Sequence, residues 1–208
     1  RALTLNTALY FNDYQHYIGQ NSLTPAPGPV AVNLNTGDVQ SYGVELEAIY
    51  APTDWFQLQS GVSYNHARIT DDSEFEETFP LGLASDRILF QPDWTFFVTP
   101  TFTHSLDEDT DLVFNTTLSY KGERAGSSLD STFQPQLEGY YLLNANLAYQ
   151  RDNWTLALWG TNLTDEEYYE SYLDESLLGA IFGPPGPMNP ITRDLGIMGD
   201  GRRVGLRF

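Results

Sequence analysis

The 208-residue sequence has no cysteine, two methionines, three histidines and only ten lysines and arginines. Without cysteine there is no disulfide scaffold and no thiolate metal site. Ten cations stand against 28 Asp and Glu, a formal charge of −18. Such a surface repels phosphates, which argues against nucleic acid as a partner. No apolar run approaches the roughly 20 residues that a spanning helix needs. Helical 3.6-residue periodicity is almost absent. Arg1 is followed by neither a basic segment nor an apolar one of the signal-peptide kind. A strand pattern is already under way there, so the chain reads as a fragment of something longer.

Chemistry-bearing motifs are missing as well. His16, His66 and His104 are scattered, with no partner at metal-ligand spacing. No Gly-x-Ser-x-Gly elbow, phosphate loop or dinucleotide fingerprint occurs. No catalytic constellation is found, and neither a cofactor nor a resident metal is expected.

What is present is alternation with a period of two. Leu3, Leu5, Leu9 and Phe11 share one face, as do Tyr42, Val44, Leu46, Ala48 and Tyr50. The pattern returns along Phe56–Tyr64, Trp94–Phe102, Leu112–Tyr120, Tyr141–Tyr149, Trp154–Leu158 and Val204–Phe208. That makes about eight strands. Four apolar stripes carry an aromatic at each end, eight residues apart: Tyr42/Tyr50, Phe56/Tyr64, Trp94/Phe102 and Tyr141/Tyr149. In a tilted strand that spacing spans on the order of 20 Å, the height of an outer-membrane apolar band between aromatic girdles. Connections alternate too. Pro52-Thr-Asp-Trp55, the stretch Ser105–Asp111 and Arg151-Asp-Asn153 read as tight turns. The links 20–40, 69–93, 122–139 and 164–200 are long, far beyond what compact soluble domains need. Short periplasmic turns facing long extracellular loops are the rule for bacterial barrels.

The long links hold nineteen of the 28 acids against only Arg87, Arg124 and Arg193. Solvation accounts for such loops; divalent-cation binding, directly or by bridging to lipopolysaccharide, is the sharper alternative. Asp71-Asp-Ser-Glu-Phe-Glu-Glu77 is the densest patch, without EF-hand spacing. The opposite strand faces carry Glu45, Glu47, Lys121, Arg203 and Arg207 beside large residues such as Phe97 and Trp159. They suit either a wet lumen of balanced charge or a surface that grips an inserted plug.

Asn162-Leu-Thr-Asp-Glu-Glu-Tyr168 resembles the Asn-Leu-x-Asp-x-x-Tyr motif near the C-terminus of TonB-dependent outer-membrane receptors. Asn162, Leu163, Asp165 and Tyr168 carry the likeness. Gly43-Val-Glu-Leu-Glu47 before Pro52, and Arg202-Arg-Val-Gly205, resemble two further family segments. The resemblance implies an all-β, antiparallel transmembrane barrel, with residues 1–208 as the last eight of 22 strands. The plug domain, the energy-coupling box and earlier strands would lie outside this chain, which by this resemblance would not be an enzyme. It implies active uptake of a scarce nutrient (a ferric siderophore, cobalamin, haem or an oligosaccharide) across the bacterial outer membrane, with the long loops extracellular. Partners would be outer-membrane lipid and lipopolysaccharide, the rest of the barrel, the plug, and the TonB complex. Glu45, Glu47, Arg203 and Arg207 would face the plug. Tyr168, Tyr169 and Tyr172, beside the acidic run, would be candidates for ligand contact.

Two other readings stay open: a complete eight-stranded barrel acting as an adhesin or structural protein, and a soluble β-sandwich such as a carbohydrate-binding module. Pairing of the first strand with the last distinguishes the complete barrel from the partial one.

Overall fold

The computed structural model describes residues 2–23, 30–78, 83, 85–126, 135–173 and 195–208. Eight long strands form one meander: β1 (Leu3–Leu23), β2 (Val30–Thr53), β3 (Phe56–Asp71), β4 (Trp94–Asp107), β5 (Thr110–Lys121), β8 (Tyr140–Arg151), β9 (Trp154–Thr161) and β12 (Arg203–Arg207). Every neighbouring pair is antiparallel. Two small hairpins sit outside the sheet, β6 (Arg124–Ala125) with β7 (Gln136–Leu137) and β10 (Tyr169–Leu173) with β11 (Leu195–Met198). A short helix, α1 (Ser73–Thr78), follows β3.

Register is what turns eight separate stripes into one surface. Leu9 faces Val44, which faces Tyr64, which faces Trp94. Phe96 faces Tyr120, which faces Tyr141. Leu147 faces Leu158, which faces Leu206. Because side chains alternate strictly, a slip of one residue would turn a whole stripe inward. The resulting face is apolar and open: Leu9 is 79% exposed and Leu206 72%. A sandwich would bury such a face under a second sheet, and none lies against it among the described residues. Hydrocarbon is the medium that a face of this kind suits.

Both girdles are real rows of touching rings. At the loop end of the sheet Tyr42 meets His66 at 4.8 Å between centroids, Tyr64 meets Trp94 at 4.7 Å, and Tyr120 meets Tyr141 at 4.5 Å. At the turn end Phe56 meets Phe102 at 5.1 Å and Tyr149 meets Trp154 at 5.3 Å. Amphipathic rings belong at such boundaries. The inner face is polar, and its large residues cover glycines directly across the ladder. Tyr10 lies over Gly43, Phe97 over Gly61 and Trp159 over Gly205, leaving no space there for a Cβ. Flat packing of a ring on a glycine pins register from the inside.

The barrel does not close. β1 and β12 are the two edges of the sheet and do not pair with each other. An edge strand in lipid leaves a row of unmatched N–H and C=O groups, so strands from elsewhere must complete the wall. The complete eight-stranded barrel is set aside on this ground.

The link 20–40 differs from expectation. Residues 30–40 continue β2, and β1 runs on to Leu23, so the hairpin stands well beyond the girdle. Its polar residues look loop-like in sequence, yet outside the membrane a polar ladder is as good as an apolar one. A bulge at Tyr14–Ile18, with His16 at φ 54°, and Gly37 at φ 126° re-aim the pair. Gly37 sits where a side chain would strike the backbone of Asp71. The acidic patch Asp71–Glu77 also takes a definite form. Asp71 accepts the Ser73 N–H at 3.0 Å, Phe75 is buried, and Glu74 takes the Asn35 amide at 2.7 Å. Among the described residues no group of three metal-ligating side chains converges. Gly183-Pro-Pro-Gly-Pro187, Arg193 and Asp130 lie outside the described residues.

Leu118→Arg places a charge mid-height on the lipid face, whereas Ser119→Arg points inward. In the intact receptor unfolded from lipid vesicles with urea, Leu118→Arg is expected to cost about 2–4 kcal/mol and Ser119→Arg little. Equal losses would contradict the assignment of faces.

Candidate functional site

The long links are tied to the sheet and to one another by the few cations available. Arg68, on the last turn of alternation in β3, donates both terminal nitrogens to Asp93 at 3.1 and 2.9 Å. Arg87 reaches Asp93 at 3.8 Å, Glu123 at 3.2 Å and Gln136 at 3.1 Å. The chain between them pairs across: Arg68 bridges Arg87, Leu89 bridges Ala125, and the Phe90 N–H donates to the Ala125 carbonyl at 2.8 Å. The links after β3 and β5 therefore form one layer. Burial acts against ionisation of Asp93, but the Arg68 fork outweighs it and holds the carboxyl below its ordinary range.

The Asn162–Tyr168 motif is a brace built at the end of β9. Asn162 is 3% exposed and adopts φ 47°, a left-handed conformation that asparagine tolerates. Its amide nitrogen donates to the carbonyls of Glu166 at 2.9 Å and Asp200 at 3.0 Å, while its oxygen accepts the Glu166 N–H at 2.8 Å. Leu163 lies across Gly160, where a Cβ would collide with it. Asp165 accepts the Arg202 N–H at 3.2 Å and its guanidinium at 3.3 Å. Tyr168 covers Gly199, whose N–H donates to the Tyr168 carbonyl at 2.8 Å. Asn162, Asp165 and Tyr168 thus fasten the exit of β9 to the entry of β12, while the Leu163 N–H donates to the Leu143 carbonyl of β8 at 2.8 Å.

Beyond the brace, the β10–β11 hairpin closes over the inner side of β8. Tyr168 stacks on Tyr140 at 4.1 Å. Glu170 gathers the Tyr140 hydroxyl at 3.1 Å, Lys121 at 3.5 Å and Arg124 at 3.6 Å. Arg124 is fully buried. One of its nitrogens donates to the Tyr169 carbonyl at 2.7 Å, and its guanidinium lies 5.5 Å from the Tyr140 ring centroid. Among the described residues its Nε and second terminal nitrogen have no hydrogen-bond partner, so the ring and Glu170 hold the charge. Beside this clasp is a cleft of about 490 Å³, lined among others by Glu138, Tyr140, Glu167, Tyr168, Tyr169 and Tyr172.

The structure thus brings Tyr168, Tyr169 and Tyr172 into one cleft, with Tyr168 also serving the brace. Glu45 and Glu47 lie on the inner face of β2, opposite Ser63 and Gly61 of β3. Arg203 and Arg207 lie on the inner face of β12, far across the sheet. Arg203 pairs with Asp200, whereas Glu45, Glu47 and Arg207 make no ion pair among the described residues. Sequence reasoning missed Glu170, Tyr140 and the buried Arg124. The available signal was scarcity: Arg124 is one of three cations in the long links.

With this geometry in view, the family model described as TonB dependent receptor-like, beta-barrel, matches residues 1–163. The chain belongs to the TonB-dependent receptor family. The match ends at Leu163, two residues into the Asn162–Tyr168 brace. Among solved structures, the ferric yersiniabactin uptake receptor FyuA from Yersinia pestis superposes with a TM-score of 0.70 at 18% identity, covering 99% of this chain and 27% of its own. The closed form of the ferric-catecholate import receptor Fiu from E. coli K12 gives 0.64 at 18% identity, covering 99% and 24%. The copper transporter OprC gives 0.64 at 17% identity, covering 99% and 28%. At these identities the likeness is one of fold. The chain spans about a quarter of the length of these three proteins. No curated protein matches its sequence. The family is one of outer-membrane receptors and transporters rather than enzymes.

Two outcomes follow for the intact receptor. Asn162→Ala leaves the Glu166 N–H and the Asp200 carbonyl without their partner and is expected to cost about 2 kcal/mol in chemical unfolding. Because Asp93 is held below its unfolded value, the Arg68–Asp93 pair stabilises fully above the ordinary carboxylate range. That contribution is lost as pH falls through the lowered value. Protease cleavage of the 72–93 link should therefore rise in the wild type as pH falls below the ordinary carboxylate range. In Asp93→Asn it should be high and flat with pH.

Proposed function

We propose that the chain is the C-terminal part of the barrel, the last eight of 22 strands, of an active transporter for a scarce nutrient. In this reading the long links face outward, the tight turns face the periplasm, and lipid and lipopolysaccharide surround the apolar face. The observation that carries it is the open sheet: a doubly girdled wall whose edges await further strands, in a chain matched by the receptor-barrel family.

The inner face supports a plug. Glu45, Glu47 and Arg207 are charged, exposed inward and without ion partners among the described residues, as a surface gripping a second domain needs. Release of the plug by the TonB complex would act through segments beyond this chain. Nutrient capture is assigned to the cleft of Tyr168, Tyr169 and Tyr172, where rings and hydroxyls can seat a ligand in its descent. The cargo belongs among the metal chelates and similar large nutrients, since the solved relatives include a ferric yersiniabactin receptor and a copper transporter. Cobalamin, haem and oligosaccharide remain in the same reading.

Cells that depend on the intact receptor should lose energy-dependent uptake of one such nutrient when its gene is deleted or the TonB complex is inactivated. Tyr169→Ala should weaken nutrient binding about tenfold, the loss of one aromatic contact of about 1.4 kcal/mol, with the barrel still folded. Uptake that survives both the deletion and the loss of TonB would overturn the proposal.

A further inference from the structure

The cleft beside the clasp has a composition that selects charge. Among the described residues four tyrosines line it, its ionisable acids are Glu138 and Glu167, and no Lys or Arg is present. Both acids are exposed and make no ion pair among the described residues. The two nearby cations are turned elsewhere. Lys121 and Arg124 both engage Glu170, and Arg124 is sealed from solvent beside the Tyr140 ring. Tyr169, by contrast, is half exposed. A tyrosine face attracts a cation within about 6 Å, more strongly where water is excluded, and adjacent carboxylates add to the attraction. An anion entering the same space would meet two carboxylates and, among the described residues, no lining cation.

We propose that this cleft is a subsite for a cationic organic group, a protonated amine or other onium, carried by the nutrient. The proposal rests on the reading of the cleft as the nutrient contact and names the chemistry that the nutrient must present there. Tyr169 supplies the aromatic face, Glu138 and Glu167 supply the countercharge, and the Glu170 clasp holds the hairpin against β8. A tris-catecholate iron complex without a cationic arm would be disfavoured at this position by charge alone.

Cysteine is absent from this chain, so once any cysteine elsewhere in the intact receptor is replaced by serine, a single introduced thiol is a clean reporter. Gln136 lines the cleft without belonging to its rings or carboxylates. In the intact receptor bearing Gln136→Cys, modification rates by a trimethylammonium-ethyl and a sulfonato-ethyl methanethiosulfonate are measured, each normalised to a free thiol. The cationic reagent should be favoured about tenfold, and the preference should collapse in the Glu138→Gln/Glu167→Gln background. With the uncharged methyl reagent, phenyltrimethylammonium should slow modification while benzenesulfonate should not. A normalised ratio near one, equal protection by both ions, or protection by neither would overturn the cationic subsite. Nutrient uptake by Tyr169→Ala separates the two readings. Lost uptake without cation preference keeps the nutrient site and removes its charge selectivity. Cation preference with normal uptake keeps the cation subsite and removes it from the transport path.

Discussion

A backbone amide in hydrocarbon has no water to turn to, and the whole sheet follows from that constraint. Each of the eight strands must find its hydrogen bonds in its neighbours, so the ladder runs without interruption from β1 to β12. Within that ladder the side chains have no freedom of face. The apolar stripe must look outward on every strand at once, which is why Leu9, Val44, Tyr64 and Trp94 fall on one line across four strands. The same constraint makes the chain incomplete as a wall: two edges remain, and only further strands can satisfy them.

Much of this was legible because alternation is a local signal. Tyr42–Tyr50 and Trp94–Phe102 show their faces in nine residues each, and the structure needs only to set them side by side. The long links were legible only as lengths and charges. Residues 30–40 read as loop because Asn33, Asn35, Thr36, Gly37 and Asp38 are turn-formers locally. Long-range pairing with β1 overrides that preference, and no local pattern announces it. Ion pairs such as Arg87–Glu123 and Lys121–Glu170 join residues tens of positions apart, with nothing in either neighbourhood to predict the partner.

The Asn162–Tyr168 segment shows the difference between recognising a motif and explaining it. Its spacing identifies a family. Its physics is that one asparagine amide, in a left-handed turn, ties three backbone groups of two segments together. An aspartate of similar shape would offer no donors for the Glu166 and Asp200 carbonyls. Tyr168 then extends the brace to Tyr140, so that a structural motif and the wall of the candidate cleft share one residue.

That sharing bears on how an acidic exterior stays folded. The links carry nineteen acids, and repulsion alone would spread them. Cations counter this at the junctions: Arg68 and Arg87 meet at Asp93, Lys121 and Arg124 meet at Glu170, and Arg202 and Arg203 pair with Asp165 and Asp200. Asp93 and Glu170 thus draw in two cations each, Glu123 shares Arg87, and other link acids are left without an ion pair among the described residues. Glu138 and Glu167 are the members of that surplus that reach the tyrosine cleft. Structural neutralisation at the junctions is what leaves the cleft negative, so the pattern that orders the loops also sets what the cleft can attract.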